Sequence, residues 1–455
     1  MRRLVLLAAA VVARPAAAQI GLTIYNDGRV LVRRTLPNPL AAGMSTQRLA
    51  LGVLDPASVF ALDSGVAVLG ASYDESVDEQ NTMRRAVGQT LRFWTGRNGR
   101  AGSSDADTVS ALVLGVNPER FKLPNGQISF QRPGVPLYPA ELVLADPTLA
   151  LALRATAPRP ALRLGYFTQG AAWNASYSVI LGRSGARVNG TAAIPSASLR
   201  VSEAEVQLLA GTIGRAPGTP APRFEMAAKS MAMGDVAQAA AVEQQIGEAH
   251  LYTIPGKLTL EPGVTTSVAL FEPATAQWEK GFVVRGQLNY YGPLPQYGND
   301  ESQVPVEVWY TLKRQAKTAF GDLPLPMGSY RLYEPDDAGR LQLIGEASAG
   351  HVAPGSDVRL AAGNAFDLTA TRVQMRYSIQ RDSLRTIVTA DYRVTIKSAK
   401  DSATTVDVLE ERGGEWSVLS SSVPPEKLSS TRTRFRVRVP GKGEVTLTYR
   451  VRVVW

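Results

Sequence analysis

Apolar and polar residues alternate most regularly at the end of the chain. In VTLTYRVRVVW, Val445, Leu447, Tyr449, Val451, Val453 and Trp455 fall on one face, and Thr446, Thr448, Arg450 and Arg452 on the other. A period of two marks a strand with one buried side. The preceding TRTRFRVRV repeats it, with Thr433, Phe435, Val437 and Val439 opposite Arg432, Arg434, Arg436 and Arg438. Gly441-Lys442-Gly443 between them suits a three-residue hairpin loop. That register would merge the apolar faces, and it would set Arg434 against Arg450 and Arg432 against Arg452. Like charges opposed across a sheet repel by roughly a few tenths of a kcal/mol or more. The hairpin therefore predicts compensation, either from Glu410, Glu411 and Glu415 or from an anionic partner.

Upstream, the same alternation recurs in short pieces separated by turn residues. LTIYNDGRVLVRRTL holds two strands around Asn26-Asp27-Gly28, and FKLPNGQISF predicts a hairpin at Asn125-Gly126. The mixed charges from Asp74 to Arg85 read as a solvated helix or loop. LALALRA, LRLGYFTQGAAWNASYSVILG and VSEAEVQLLAGTIG continue the strands, with Tyr166, Trp173 and Tyr177 as large anchors. Between about Ala216 and Ala249 neither period persists, which predicts a loop with at most a short helix around Val236 to Ile246.

The expected fold is all-β and mainly antiparallel, with little helix. It divides into an N-terminal β domain over 19–155, with a small barrel near 84–138, and a central β-sandwich over 156–285, with a mobile Ala-rich loop near 216–249. A C-terminal β region over 286–455 ends in an immunoglobulin-like sandwich at 384–455. The 40 glycines and 29 prolines in 455 residues agree with short strands and many turns.

Composition then narrows the setting. MRRLVLLAAAVVARPAAAQ has the charged start, apolar run and small-residue cleavage site of a signal peptide covering 1–18, which predicts a periplasmic or secreted protein cut near Ala18. No later segment is apolar for the roughly 20 residues that a transmembrane helix needs. The absence of cysteine excludes disulfides, thiolate metal sites and a cysteine nucleophile. A net charge of +9 favours anionic partners. Nucleic acid is not expected of an exported chain without a Lys/Arg block.

Candidate chemistry is sparse. No GxSxG, SxxK, HExxH or phosphate-loop pattern occurs, and no catalytic, cofactor or metal residue is predicted. His351, with Glu346 and Asp357 nearby in sequence, reads more simply as a hydrogen-bonded loop histidine than as a base or ligand. Glu334, Asp336 and Asp337 lack calcium-loop spacing. Gly96, Gly99 and Gly102 with Arg97 and Arg100 read as a flexible loop ahead of an anion cradle. The aromatic loop carrying Tyr290, Tyr291 and Tyr297 is a candidate for stacking on sugar rings or on a proline-containing peptide, and the six arginines of the last two strands are the candidate anion-binding face.

The order of LDPASVFAL, LRLGYFTQGAAWNASYSVIL, QLLAGTI, LYTIPGKLTLEPG, LPMGSYRLYEPDDAGRLQLIGE and GNAFDL resembles the bacterial family catalogued as domain of unknown function 4139, which includes mucoidy-inhibitor-like proteins. The resemblance implies an exported β-rich protein without established catalytic residues. The coiled coil of many relatives has no counterpart between VAVLGASY and VGQTLRFW. Three functions stay open: a non-enzymatic envelope protein binding an anionic surface polymer or another envelope protein, an outer-membrane β-barrel, and a carbohydrate-active hydrolase with a carboxylate pair.

Overall fold

The computed structural model describes residues 19–95, 108–214, 239–286, 296, 301–381 and 385–454. The expected signal peptide, the loop with Gly96, Gly99 and Gly102, the aromatic loop with Tyr290, Tyr291 and Tyr297, and Trp455 lie outside them. Strand makes up 62% and helix 3%, which places the chain in the all-β class, and its sheets are open.

At the N-terminus the strand Gln19–Tyr25 turns at Gly28, which takes φ +86°, into Arg29–Leu36. Leu162–Gln169 continues the sheet antiparallel on the far side, and Val201–Ala210 runs parallel to the first strand. A second sheet has Thr148–Ala155 at its centre, between Gly43–Ala50 and Val66–Asp74. Leu22, Ile24, Val30 and Val32 meet Leu149, Leu151 and Leu153 in one apolar cluster, because each strand turns alternate residues inward. Full burial of such side chains contributes about 1.5–3 kcal/mol each. The cluster runs on through Tyr177, Val188, Tyr330 and Leu360, so Leu153 and Leu162, on either side of the expected 155/156 boundary, share a core.

The described residues of 84–138 form an open antiparallel sheet in place of the expected small barrel. Its outer strands, Val135–Leu137 and Ile128–Ser129, do not pair with each other. They are too short to close a ring, and Pro136 has no N–H to offer a further strand. The helix Glu79–Arg85, capped by the Asp78 carboxylate on the Asn81 amide at 2.8 Å, places Met83 among Leu91, Phe93, Val113 and Phe121. The Asn125-Gly126 hairpin forms, with Gly126 at φ +85° donating its amide to Leu123 O. The expected loop near 216–249 is corrected at its end: Val242–Ile246 is a strand paired with Ala249–Thr253. Residues 216–238 of it are outside the described ones.

The C-terminal sandwich holds a separate core. One sheet runs Ser302–Val304, Leu368–Arg381, Thr386–Ser398, Glu444–Val454, Glu415–Ser421. The facing layer contains Thr404–Glu411, Arg432–Val439 and Pro425–Lys427, and joins the central sheet through the long strand Ala274–Arg285. Tyr392, Val394, Leu447 and Tyr449 from one side pack on Val406, Val408, Phe435 and Val437 from the other. The core also recruits Val284, Val306, Leu368 and Ala370, so it draws on residues before 384.

The hairpin expected at Gly441-Lys442-Gly443 does not form. Arg432–Val439 pairs with Thr404–Glu411 and Pro425–Lys427, whereas Glu444–Val454 pairs with Thr386–Ser398 and Glu415–Ser421. The connection crosses from one sheet to the other. It is tied down where the Ser398 amide donates to Gly443 O and the Lys442 amide to Lys400 O, both at 2.8 Å. Two apolar rows can merge side by side or face to face across a core, and the alternation is identical in both cases. Facing each other, the strands avoid the opposed arginines.

Candidate functional site

The six candidate arginines therefore divide into two rows on opposite outer faces of one sandwich. In the first row the neighbouring strands supply carboxylates. Arg432 lies opposite Glu411 and pairs with it. Arg434 donates to both oxygens of Glu426 at 2.7 and 2.8 Å and to Asp407 at 3.3 Å. Arg436 lies 4.0 Å from Asp407 and 3.9 Å from Glu426. The Arg434 hydrogen bonds hold the Glu426 carboxyl below its ordinary range, although burial works weakly against them. Only Arg438, opposite Thr405, makes no ion pair among the described residues.

The second row sits in a recess of about 530 Å³ on the five-stranded sheet, lined by Arg376, Asp391, Ser420, Ser421, Thr448 and Arg450, among others. Strand register aligns Arg376, Asp391, Arg450 and Ser420 across four strands. Two interruptions of the ladder, between Gln374 and Arg376 and between Val418 and Ser420, flank this line. Each inserts one unpaired residue, Met375 and Leu419, which bends its strand and re-aims the next side chain outward. Arg450 grips Asp391 at 2.5 and 2.8 Å, and those bonds lower the Asp391 carboxyl against a smaller effect of burial, with Arg376 adding to the pull. Arg376 itself forms no ion pair among the described residues. Two residue pairs along, exposed Arg452 lies between Thr389 and Ser417. The recess thus presents two guanidiniums and one carboxylate among hydroxyls, with a further guanidinium beside it.

Between the rows lies a charge cluster that the sequence reading missed. Glu410 is fully buried and continues the inward row of Val406 and Val408. It accepts from Arg372 at 3.2 Å, from Arg412 at 2.6 Å and from the Tyr449 hydroxyl. Arg372 in turn lies 3.8 Å over the Tyr392 ring. Burial alone would raise the Glu410 carboxyl; the two arginines and the tyrosine outweigh it and hold it below its ordinary range. Burial and the neighbouring carboxylate push the Tyr449 phenol well above its own. Glu410 and Arg412 belong to one sheet and Arg372 and Tyr449 to the other, so the cluster staples the sandwich. The available signal was Glu410 itself, a carboxylate placed by alternation on an inward row. Of the acids expected to offset the arginines, Glu411 does so, while Glu410 serves this internal cluster.

His351 and the turn at Asp336 make local hydrogen bonds. His351 Nδ1 accepts the Met327 amide at 3.1 Å, and burial, then the nearby His250, lower its pKa. Glu346 pairs with Arg331 and Asp357 with Lys313, so neither completes a proton-transfer pair. The Asp336 carboxylate accepts from the Ala338 and Arg340 amides and ties the turn at Gly339. Among the described residues no group of three or more His, Asp or Glu is placed to hold a metal. Likewise, no described helix is long and apolar enough to cross a membrane. Compared with protein-family models and with curated proteins, the chain matches none.

Proposed function

We propose that the protein is an exported, non-enzymatic binding module of the bacterial envelope, and that its recess at Arg376 and Arg450, with Arg452 beside it, takes up an acidic surface polymer. The observation that carries this reading is the pair Arg376 and Arg452, two guanidiniums without a carboxylate partner among the described residues, set among Ser and Thr hydroxyls on a bulged sheet face. Guanidinium forks match carboxylates in charge and geometry, and hydroxyls exchange hydrogen bonds with sugar rings. The signal-like first 18 residues, the net charge of +9 and the resemblance to the domain of unknown function 4139 family support the same setting. In this reading the carboxylate Asp391 orients Arg450 and carries no hydrolytic role.

Titration of the mature protein with polygalacturonate, against a neutral polymer of equal length, tests the proposal. Binding that is confined to the acidic polymer and weakens steadily with salt is the expected result. Equal binding to both polymers, or none to either, overturns it. Fractionation of cells producing the chain tests the envelope placement, and recovery with cytoplasmic markers would contradict it.

A further inference from the structure

A second candidate lies where the two N-terminal sheets part around a cavity of about 560 Å³. Its lining combines the apolar side chains of Ile20, Leu22, Val32 and Leu51 and the Tyr166 ring with exposed polar residues such as Gln169, Ser198 and Ser202. One residue is out of keeping. In Arg29–Leu36 the inward row reads Val30, Val32, Arg34, with the two valines buried, so alternation turns the third position, a guanidinium, toward the core. The Nε of Arg34 is shielded from solvent and has no hydrogen-bond partner. The strand is central, paired on both sides, so this charge does not guard a sheet edge.

The other polar groups of the lining are engaged or stand outside. Thr168 donates its hydroxyl to Val53 O at 2.6 Å, and Arg200 pairs with Glu261 at 3.0 Å. Asp146, the one carboxylate of the lining, is exposed and makes no ion pair with Arg34. Arg34 is half-buried, and its guanidinium hydrogen-bonds the Tyr166 hydroxyl, a neutral partner; a cation partly withdrawn from water is better satisfied when an anion joins such a partner. A cavity of this size with apolar side chains and one convergent cation has the character of a small-molecule site.

We propose that this cavity binds a single-chain amphiphile, whose hydrocarbon tail lies against Leu22, Val32 and Tyr166 and whose anionic head, a carboxylate or a phosphate monoester, pairs with Arg34. The charge complementarity selects an anion, and the apolar side chains select a tail over a free inorganic ion. This site is independent of the arginine recess and of the function proposed for it.

Calorimetric titration of the mature chain with dodecanoate and with dodecyl phosphate, below their micelle concentrations, tests the proposal. Dodecanol and dodecyltrimethylammonium serve as neutral and cationic controls. At least one anion should bind tenfold or more tighter than either control, and which one does identifies the head group. Arg34→Gln should remove that preference while leaving dodecanol binding unchanged, and Val53→Trp, at the exposed rim, should weaken every ligand. Arg34→Gln takes away a charge that has no carboxylate partner among the described residues, and an unchanged melting transition in both variants checks their folding. Failure of both anions to bind, or a preference that survives in Arg34→Gln, overturns the proposal.

Discussion

Two arginine rows cover opposite faces of the same sandwich, yet they are in different electrostatic states. Along Arg432–Val439 the neighbouring strands place Glu411, Asp407 and Glu426 against Arg432, Arg434 and Arg436, so the row is largely neutralised within the fold. Along Glu444–Val454 Asp391 is held by Arg450, while Arg376 and Arg452 make no ion pair among the described residues and stand among hydroxyls. The difference comes from strand order, since both rows have the same Arg-x-Arg spacing. A run of arginines shows where cations stand; the strands beside it decide whether they are free to meet a ligand.

The largest expected effect concerns the cluster that holds the faces apart. Glu410→Gln removes the anion shared by Arg372 and Arg412 and leaves two cations in the core. It should cost about 3–5 kcal/mol, the range for breaking a buried pair from one side. Urea denaturation measures this, and a loss under about 1 kcal/mol would show that the two sheets do not depend on the cluster. The pH dependence follows from the same groups. The lowered folded pKa of Glu410 gives stability that is present above the ordinary carboxylate range and lost as pH falls through the folded value. The raised Tyr449 pKa works in the other direction, its stability being complete below the ordinary phenol range and lost as pH rises beyond it. Thermal melts of the wild type should narrow at both extremes, and Glu410→Gln should flatten the acid limb.

A smaller effect would turn one face into the other. Asp407→Asn with Glu426→Gln removes two carboxylates from the first row and frees Arg434 and Arg436. The double variant should bind polygalacturonate several-fold more tightly than the wild type, with a steeper salt dependence. No gain would indicate that free guanidiniums alone do not suffice and that the bulged, hydroxyl-lined recess is also required.

Much of the strand content was legible in the sequence, because a period of two is imposed by the backbone itself. Phe435, Val437, Tyr449 and Val451 all point inward as their alternation requires. The pairing of those strands was not legible. A Gly-Lys-Gly connection permits a hairpin, and here Gly441 instead packs so closely on Asp401 O that a Cβ would lie 2.3 Å from it, fixing the loop against a different turn. The acid partners of Arg434 were hidden for the same reason: Asp407 and Glu426 are 27 and 8 residues away and meet it only through sheet order. The Arg34 cavity was missed although its signal was present, a cation in the row of Val30 and Val32. In LVRRTL the adjacent Arg33 masks it, since either arginine satisfies the polar side of the alternation.

The most direct measurement compares two triple variants in one assay: Arg376→Gln/Arg450→Gln/Arg452→Gln on the recess, and Arg432→Gln/Arg434→Gln/Arg436→Gln on the ion-paired face. Affinity for polygalacturonate is followed as a function of salt. The recess variant should lose about tenfold or more in affinity and most of the salt dependence, while the ion-paired variant, from which largely neutralised charges are removed, should stay within about twofold of the wild type. Equal losses in both, or a larger loss on the ion-paired face, would contradict the account.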